Sequence, residues 1–332
     1  MTDEACVSVV IPAYNAAATI DETLRSVRSQ TYRTLEILVI DDGSTDETAD
    51  VVCARAAQDT RIRLVRQENR GVAAARNRGI EEATADLVAF VDADDLWAPD
   101  KIEKQIAALR KEGPSVALVY TWWAKIDAAS RMIERYCPTD GGDVLERICS
   151  GNIVGHCSSA LVTKTAVLEI GGFDPSLRAR QAQGCEDLQF YFRLAERHHF
   201  AIVPEYLTGY RQTSTNMSSD LLQMRRSYAL VADEMRRKYP RLESTVALGT
   251  TYFAAWVLEC AIDLRRLRLI PLFGAVLVSR NPRLAARILV RRSLRRLARA
   301  LRDGLWGRMH GGRPVPAEFP RFLIGDPDVD AS

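Results

Sequence analysis

The stretch Leu87-Val88-Ala89-Phe90-Val91-Asp92-Ala93-Asp94-Asp95 passes from five apolar residues directly into a cluster of acids. A short apolar run of this kind reads as a buried β-strand, and the acids then fall at its carboxyl end. Four similar runs lie at Val7–Ile11, Leu35–Ile40, Ile62–Val65 and Val116–Tyr120, and the starts are 25 to 29 residues apart. That is the spacing of strand–helix–strand units. Strands apolar on both faces are covered on both sides, so the pattern predicts an α/β, Rossmann-like three-layer fold with a mainly parallel central sheet. Ligands of such sheets bind beyond the carboxyl ends of the strands. The residues to weigh are therefore Pro12–Asn15, Asp41–Asp46, Gln67–Gly71 and Asp92–Asp95.

None of these clusters is a GxGxxG or GxxxxGK[ST] phosphate loop. Another device has to hold phosphate charge, and a cation on carboxylates is the direct one. Asp92 and Asp94, one residue apart at a strand end, can both face the crevice. Mg²⁺ typically takes one or two carboxylates and completes its shell with water and phosphate oxygens. The competing reading is that Asp94 or Asp95 caps the helix that follows near Pro99. In Asp41-Asp42-Gly43-Ser44, Ser44 and Glu47 have the spacing of a capping box. Asp41 and Asp42 are not needed for it, and an Asp there can accept from a base N–H or a ribose hydroxyl. The segment Gly71–Asn77 opens a helix with small residues and presents Arg76, whose planar fork suits phosphate or simply solvent.

The 332 residues carry 45 Lys+Arg and 43 Asp+Glu, yet Asp263–Arg313 holds 14 Arg against two acids. A segment of net +12 thus hides behind a near-neutral total, and the rest of the chain sums to −10. Val290–Arg302 sorts on a helical wheel into a Val/Leu/Ala face and an Arg face. Such a helix either packs its apolar face on the domain or lies on an anionic membrane surface, to which residues 265–302 would contribute. Nucleic acid is not expected, because no binding fold accompanies the charge. Val246–Ile262 is the most apolar stretch and, with Glu259 inside it, reads as a buried helix. Val246–Val278 is apolar enough to pack against a second subunit. Seven scattered cysteines without metal-ligand spacing suit a reducing cytosol, and the N-terminus lacks the features of a signal peptide. Leu221–Arg302 is helical in pattern with breaks at Pro240, Pro271 and Pro282, and the Pro-rich last twenty residues read as an irregular tail. The expected organisation is 1–120 and 121–220 as the two halves of one catalytic domain, 221–310 as a basic helical extension, and 311–332 as the tail.

Five ordered segments together resemble the family 2 glycosyltransferases, an inverting group with the GT-A fold: Val7–Asn15, Ser26–Tyr32, Leu38–Asp46, Asn69–Gly79 and Phe90–Asp95. Weaker matches continue at Ser158-Ser159, Gly171–Asp174, Glu186-Asp187 and Tyr210-Arg211, so the resemblance covers about residues 5–218. It implies that Pro12 and Tyr14 border the base of a nucleotide-sugar, most simply a UDP-sugar, that Asp41 accepts from the uracil ring, and that Arg76 faces the diphosphate or base. It places Asp92 near ribose and donor sugar and makes Asp94 the ligand of Mn²⁺ or Mg²⁺. It makes Asp187 the general base, with Glu186 and Arg211 in acceptor-side or supporting positions. Without it, Glu186 and Asp187 read equally as acids favoured at a helix N-terminus. The sequence departs from the family pattern at Thr213, where many relatives carry a His two residues after the Tyr-Arg pair.

The implied reaction is a single displacement onto a hydroxyl of a glycan or lipid-linked glycan, in the cytoplasm or on the inner face of the plasma membrane, in polysaccharide synthesis. One positioned carboxylate suffices for it, and no activated Ser or Cys is needed. The alternative is a non-catalytic nucleotide-sugar-binding relative, which the intact Asp41, Asp92, Asp94 and Asp187 disfavour. A nucleotidyltransferase would need a Gly-rich basic loop after the first strand, and Pro12–Asn15 lacks it.

Overall fold

The structure is a computed structural model that describes residues 5–213, 216–290 and 321–324. Its strands are β1 (Val7–Ala13), β2 (Leu35–Asp41), β3 (Ile62–Arg66), β4 (Leu87–Phe90), β5 (Leu96–Trp97), β6 (Val116–Ile126), β7 (Met132–Tyr136), β8 (Ala160–Thr163) and β9 (His199–Arg211). The helices of the first half are α1 (Ile20–Arg28), α2 (Thr48–Ala56), α3 (Val72–Glu82) and α4 (Lys101–Glu112). Those of the second are α5 (Leu145–Ser150), α6 (Lys164–Glu169), α7 (Ser176–Ala179) and α8 (Glu186–Ala195), followed by α9 (Leu221–Lys238), α10 (Glu243–Asp263) and α11 (Leu269–Arg280).

All five apolar runs are strands. One sheet runs β3-β2-β1-β4-β8-β6-β9-β5, with β7 paired on β6. The expected parallel order holds from β3 through β4, and β6 and β9 are also parallel. The second half is mixed, because β8 slots antiparallel between β4 and β6. The short Ala160–Thr163 run gave no periodic signal of this insertion. Along the first strands the side chains alternate between two cores. Val10, Leu38, Ile40, Val88 and Phe90 face one layer, and Val9, Ile11, Ile37, Val39 and Ala89 the other. This is the period-2 geometry of a sheet buried on both faces. Gly79 explains the small residues of α3: a Cβ there would lie 2.2 Å from Val10, so only glycine lets α3 press onto β1.

The C-terminal helices are built into the same body. Met224, Tyr228, Val231, Ala232 and Met235 of α9 join the core that holds Phe90 and Phe190. Pro240 and Pro282 fall where helices begin, whereas Pro271 is the third residue of α11, where no intrahelical acceptor is lost. The segment Pro240–Asp263 is long and apolar enough to cross a membrane by length and composition, and half of its most apolar window is buried in the protein. The basic wheel from Val290 to Arg302 lies, beyond Val290, outside the described residues, as does most of the tail. Within the tail, Phe322 donates its N–H to Ser130 O and packs on Leu96 and Ile126.

Candidate active site

The carboxyl ends of β1 and β4, the N-termini of α3 and α8, the β6–β7 hairpin and the α10 helix enclose a cleft of about 1610 Å³. Pro12, Tyr14, Arg76, Asp92, Asp94, Glu186, Asp187 and Arg211 all line it. Asp41 does not join them. It is fully buried, and its two oxygens accept from Ser44 N–H (2.9 Å) and Arg66 Nε (3.0 Å). Asp42 accepts from Gln67 and from the Arg70 and Gly71 N–H groups, so this pair ties the loop after β2 to the one after β3. Ser44 and Glu47 form no capping box. The Ser44 hydroxyl accepts from Asn15 N–H, and Asp46 accepts from Thr48 N–H at the start of α2.

The three acids after β4 have separate surroundings. Asp92 accepts from Arg76 Nη2 at 2.6 Å, while the nearly buried Arg76 leaves its Nε without a protein partner. Asp95 is fully buried and caps no helix, since it accepts from the Ser158 hydroxyl and from Arg211 N–H. Asp94 remains open to the cleft, with the Asn216 amide 3.4 Å from one oxygen. Burial, then the charge of Asp92, raises Asp94 above the ordinary carboxylate range. Where the family pattern has a His, Thr213 donates its N–H (3.0 Å) and hydroxyl to Asn216 Oδ1, which turns the Asn216 Nδ2 toward Asp94.

Arg211 touches the cleft but is almost wholly buried. It donates to Asp94 O (2.7 Å), Glu22 (2.7 Å) and the Asp127 and Ala128 carbonyls, so it buttresses the acid loop from below. Glu186 is likewise turned inward and accepts from Gly184 N–H. Asp187 faces the cleft at the N-terminus of α8. Its oxygens meet Leu188 N–H (2.7 Å) and the Asn152 amide (3.3 Å). Burial pushes it up to about 7, against the downward pull of Arg76. Its placement relative to Arg76 is set by a short relay. Asn77 on α3 exchanges two hydrogen bonds with the Phe173 backbone, and Phe173 stacks on Phe190 of α8 at 4.1 Å.

Several contributors escaped the sequence reading. Asn152 and Glu22 act through partners distant in the chain and carry no local pattern, whereas Ser158 was marked only as a weak family match, without its role on Asp95. His156 lines the cleft between Tyr210 and Trp123, and burial lowers it to about 3, so the ring is neutral. Gly249, Tyr252, Phe253 and Trp256 of α10 form the far wall. Their i, i+3, i+4, i+7 spacing was visible only as part of an apolar helix.

The model of the family described as Glycosyl transferase family 2 matches residues 8–159. The putative teichuronic acid biosynthesis glycosyltransferase TuaG of Bacillus subtilis is 31% identical over 216 residues, 64% of this chain and 82% of that protein. This chain belongs to glycosyltransferase family 2. Family length varies: the chain spans only about a third of two Rickettsia relatives that are 32% and 33% identical to it. Two solved structures share the fold. Staphylococcus aureus TarS 1–349 in complex with UDP-GlcNAc superposes with a TM-score of 0.58 at 14% identity, over 87% of this chain and 91% of that one. Mannosyltransferase PcManGT from Pyrobaculum calidifontis, in complex with GDP-Man and Mn²⁺, gives 0.56 at 22% identity, over 89% and 88%. The fold is the GT-A fold that the family resemblance implied.

Proposed function

We propose that this chain is an inverting glycosyltransferase that moves a sugar from a nucleoside diphosphate-sugar, UDP-linked in the first instance, to a hydroxyl of a glycan or lipid-linked glycan during cell-surface polysaccharide synthesis. The observation that carries the reading is the pairing, in one cleft, of Arg76, Asp92 and Asp94 with a cleft-facing Asp187 whose basicity burial has raised. A general base is most effective with a pKa near the working pH. Asp187 takes the proton of the acceptor hydroxyl as its oxygen bonds to the anomeric carbon. The bond to the diphosphate breaks on the opposite side, so the configuration inverts. Arg76 lines the cleft with its fork held by Asp92, and its positive charge is the one that would face diphosphate oxygens.

The oxygen donors present fit Mn²⁺ or Mg²⁺, with Asp94 as the residue that would hold it. Among the described residues no group of three or more His, Cys, Asp or Glu could hold a metal ion, so the donor diphosphate and water would complete the shell. When bound, such a cation supplies positive charge to the departing diphosphate.

The C-terminal surface suits a peripheral membrane position on the cytoplasmic side. From Leu264 to Val290 the chain has six Arg and no acid. All six are exposed, beside exposed Leu267, Leu272, Val278 and Leu289. Interleaved cationic and apolar groups favour an anionic lipid interface. Arg265→Glu, Arg266→Glu and Arg268→Glu together should abolish flotation with phosphatidylserine vesicles; undiminished flotation refutes this part.

The decisive test of the catalytic reading is a panel of UDP- and GDP-sugars assayed for turnover with wild-type protein and Asp187→Asn. Turnover should fall by about 10²–10⁴-fold while UDP affinity stays. Near-normal turnover of the variant would remove Asp187 as the base.

A further inference from the structure

The cleft is larger than one donor needs. Single small-ligand pockets measure roughly 300–1,000 Å³, against about 1610 Å³ here. Its lining divides accordingly. The acids and Arg76 stand at one end and Asp187 lies between, while the opposite wall is one stripe of α10. Residues 249, 252, 253 and 256 repeat as i, i+3, i+4 and i+7, so they share a helix face.

Packing determines where that face stands. A Cβ on Gly249 would lie 2.6 Å from Cys149 O and 2.9 Å from the Tyr228 hydroxyl. Glycine therefore lets α10 rest directly on the end of α5. That contact brings the stripe beside the loop whose Asn152 reaches Asp187. Phe253 lies flat on Tyr228 (4.1 Å, 11°), and Trp256 tilts against Phe253 at 5.4 Å. Both rings are thereby held in place. Tyr252 beside them is 49% exposed.

We propose that this α10 stripe is the acceptor subsite and that it holds a pyranose ring of the acceptor glycan, with Tyr252 and Trp256 as the stacking faces. A pyranose presents apolar C–H faces and a hydroxyl rim. The aromatic faces match the first, since their negative π-face attracts polarised C–H groups. Arg147 and Asp140, paired at 2.7 Å on the same cleft, match the second. A lipid tail would ask for an apolar tube without such polar groups. The stripe lies beyond residues 8–159 matched by the family model. The proposal rests on the glycosyltransferase reading and names the acceptor side of the same cleft.

The test uses the full chain with UDP and Mn²⁺ present. Binding of a panel of methyl glycosides is followed by saturation-transfer NMR, and UDP affinity is measured calorimetrically on the same samples. At least one glycoside should bind the wild-type protein. Tyr252→Ala and Trp256→Ala should each weaken it about tenfold, the value of roughly 1.4 kcal/mol of stacking, and Trp256→Phe should restore most of it. UDP affinity and the circular dichroism spectrum should not change. The proposal is overturned if no glycoside binds the wild type, if the alanine variants bind as well, or if a sugar-free alkyl phosphate displaces the glycoside. Loss of UDP binding by the wild-type protein would instead refute the glycosyltransferase reading itself.

Discussion

At one end of the cleft, Arg76, Asp92 and Asp94 stand on strand and helix ends of the repeating α/β half. At the other, Tyr252, Phe253 and Trp256 stand on one stripe of a long C-terminal helix. The first end is polar and cross-linked: Asp92 to Arg76, Asp95 to Ser158 and Arg211, Asp94 to Asn216. The second is aromatic, and van der Waals contact on Tyr228 and α5 holds it in place. The contrast teaches that charge chemistry is mounted on elements whose order the fold dictates. The aromatic stripe is mounted instead on a helix that reaches the cleft by packing on α5 and α9.

Four perturbations break or sharpen that contrast. The largest effect should come from the donor end. Arg211→Met leaves the Asp94 carbonyl and Glu22 without their cation and should cost about 3–5 kcal/mol in urea denaturation, with UDP binding lost alongside. If UDP binding survives, the buttress is not what holds the acid loop. The pH profile comes next. Asp187 accepts a proton only when ionised, so kcat/KM should fall about tenfold per unit below its value of about 7 and level off above it. A flat profile down to pH 5 would contradict the burial argument. At the far end, Gly249→Ala should cost about 1–3 kcal/mol through overpacking, yet leave UDP affinity at its wild-type value because only the α10 wall shifts. Equal damage to UDP binding would mean that the two ends are not independent.

The smallest effect carries the most specific sign. In the folded protein Asp187 keeps its proton up to about pH 7, whereas the unfolded chain releases it near the ordinary value of 3.8. The folded state thus binds more protons in that window, and stability falls as pH rises through it. Asp187→Asn removes the penalty and should raise Tm at pH 8 by about 2–4 °C. A lower Tm would show that the carboxylate is stabilised, not strained.

Much of the first end was legible. Periodic apolar runs mark strand ends, so Pro12, Tyr14, Asp92 and Asp94 could be placed from spacing and chain direction. The small residues before Arg76 left it between phosphate and solvent, and only the family resemblance pointed it at the nucleotide. Asp187 was legible only through the family resemblance, since an acid at a helix start has ordinary reasons to be there. Two local patterns misled. Ser44 and Glu47 have capping-box spacing, but the nearby Asn15 N–H captures the Ser44 hydroxyl. Asp41 sits at a strand end like Asp92, yet its carboxylate is fully buried and held by Ser44 N–H and by Arg66 on the adjacent β3.

By itself, then, the chain determined its layer architecture and the residues at the carboxyl ends of the first strands. Alternation of two and spacing of about 27 are properties of contiguous sequence. Tertiary structure alone decided the antiparallel entry of β8, the neutral His156 between two rings, the inward turn of Arg211 and the aromatic wall of α10. Each depends on partners about 20 to 190 residues away. Burial and hydrogen-bond competition among such distant groups leave no trace in local composition.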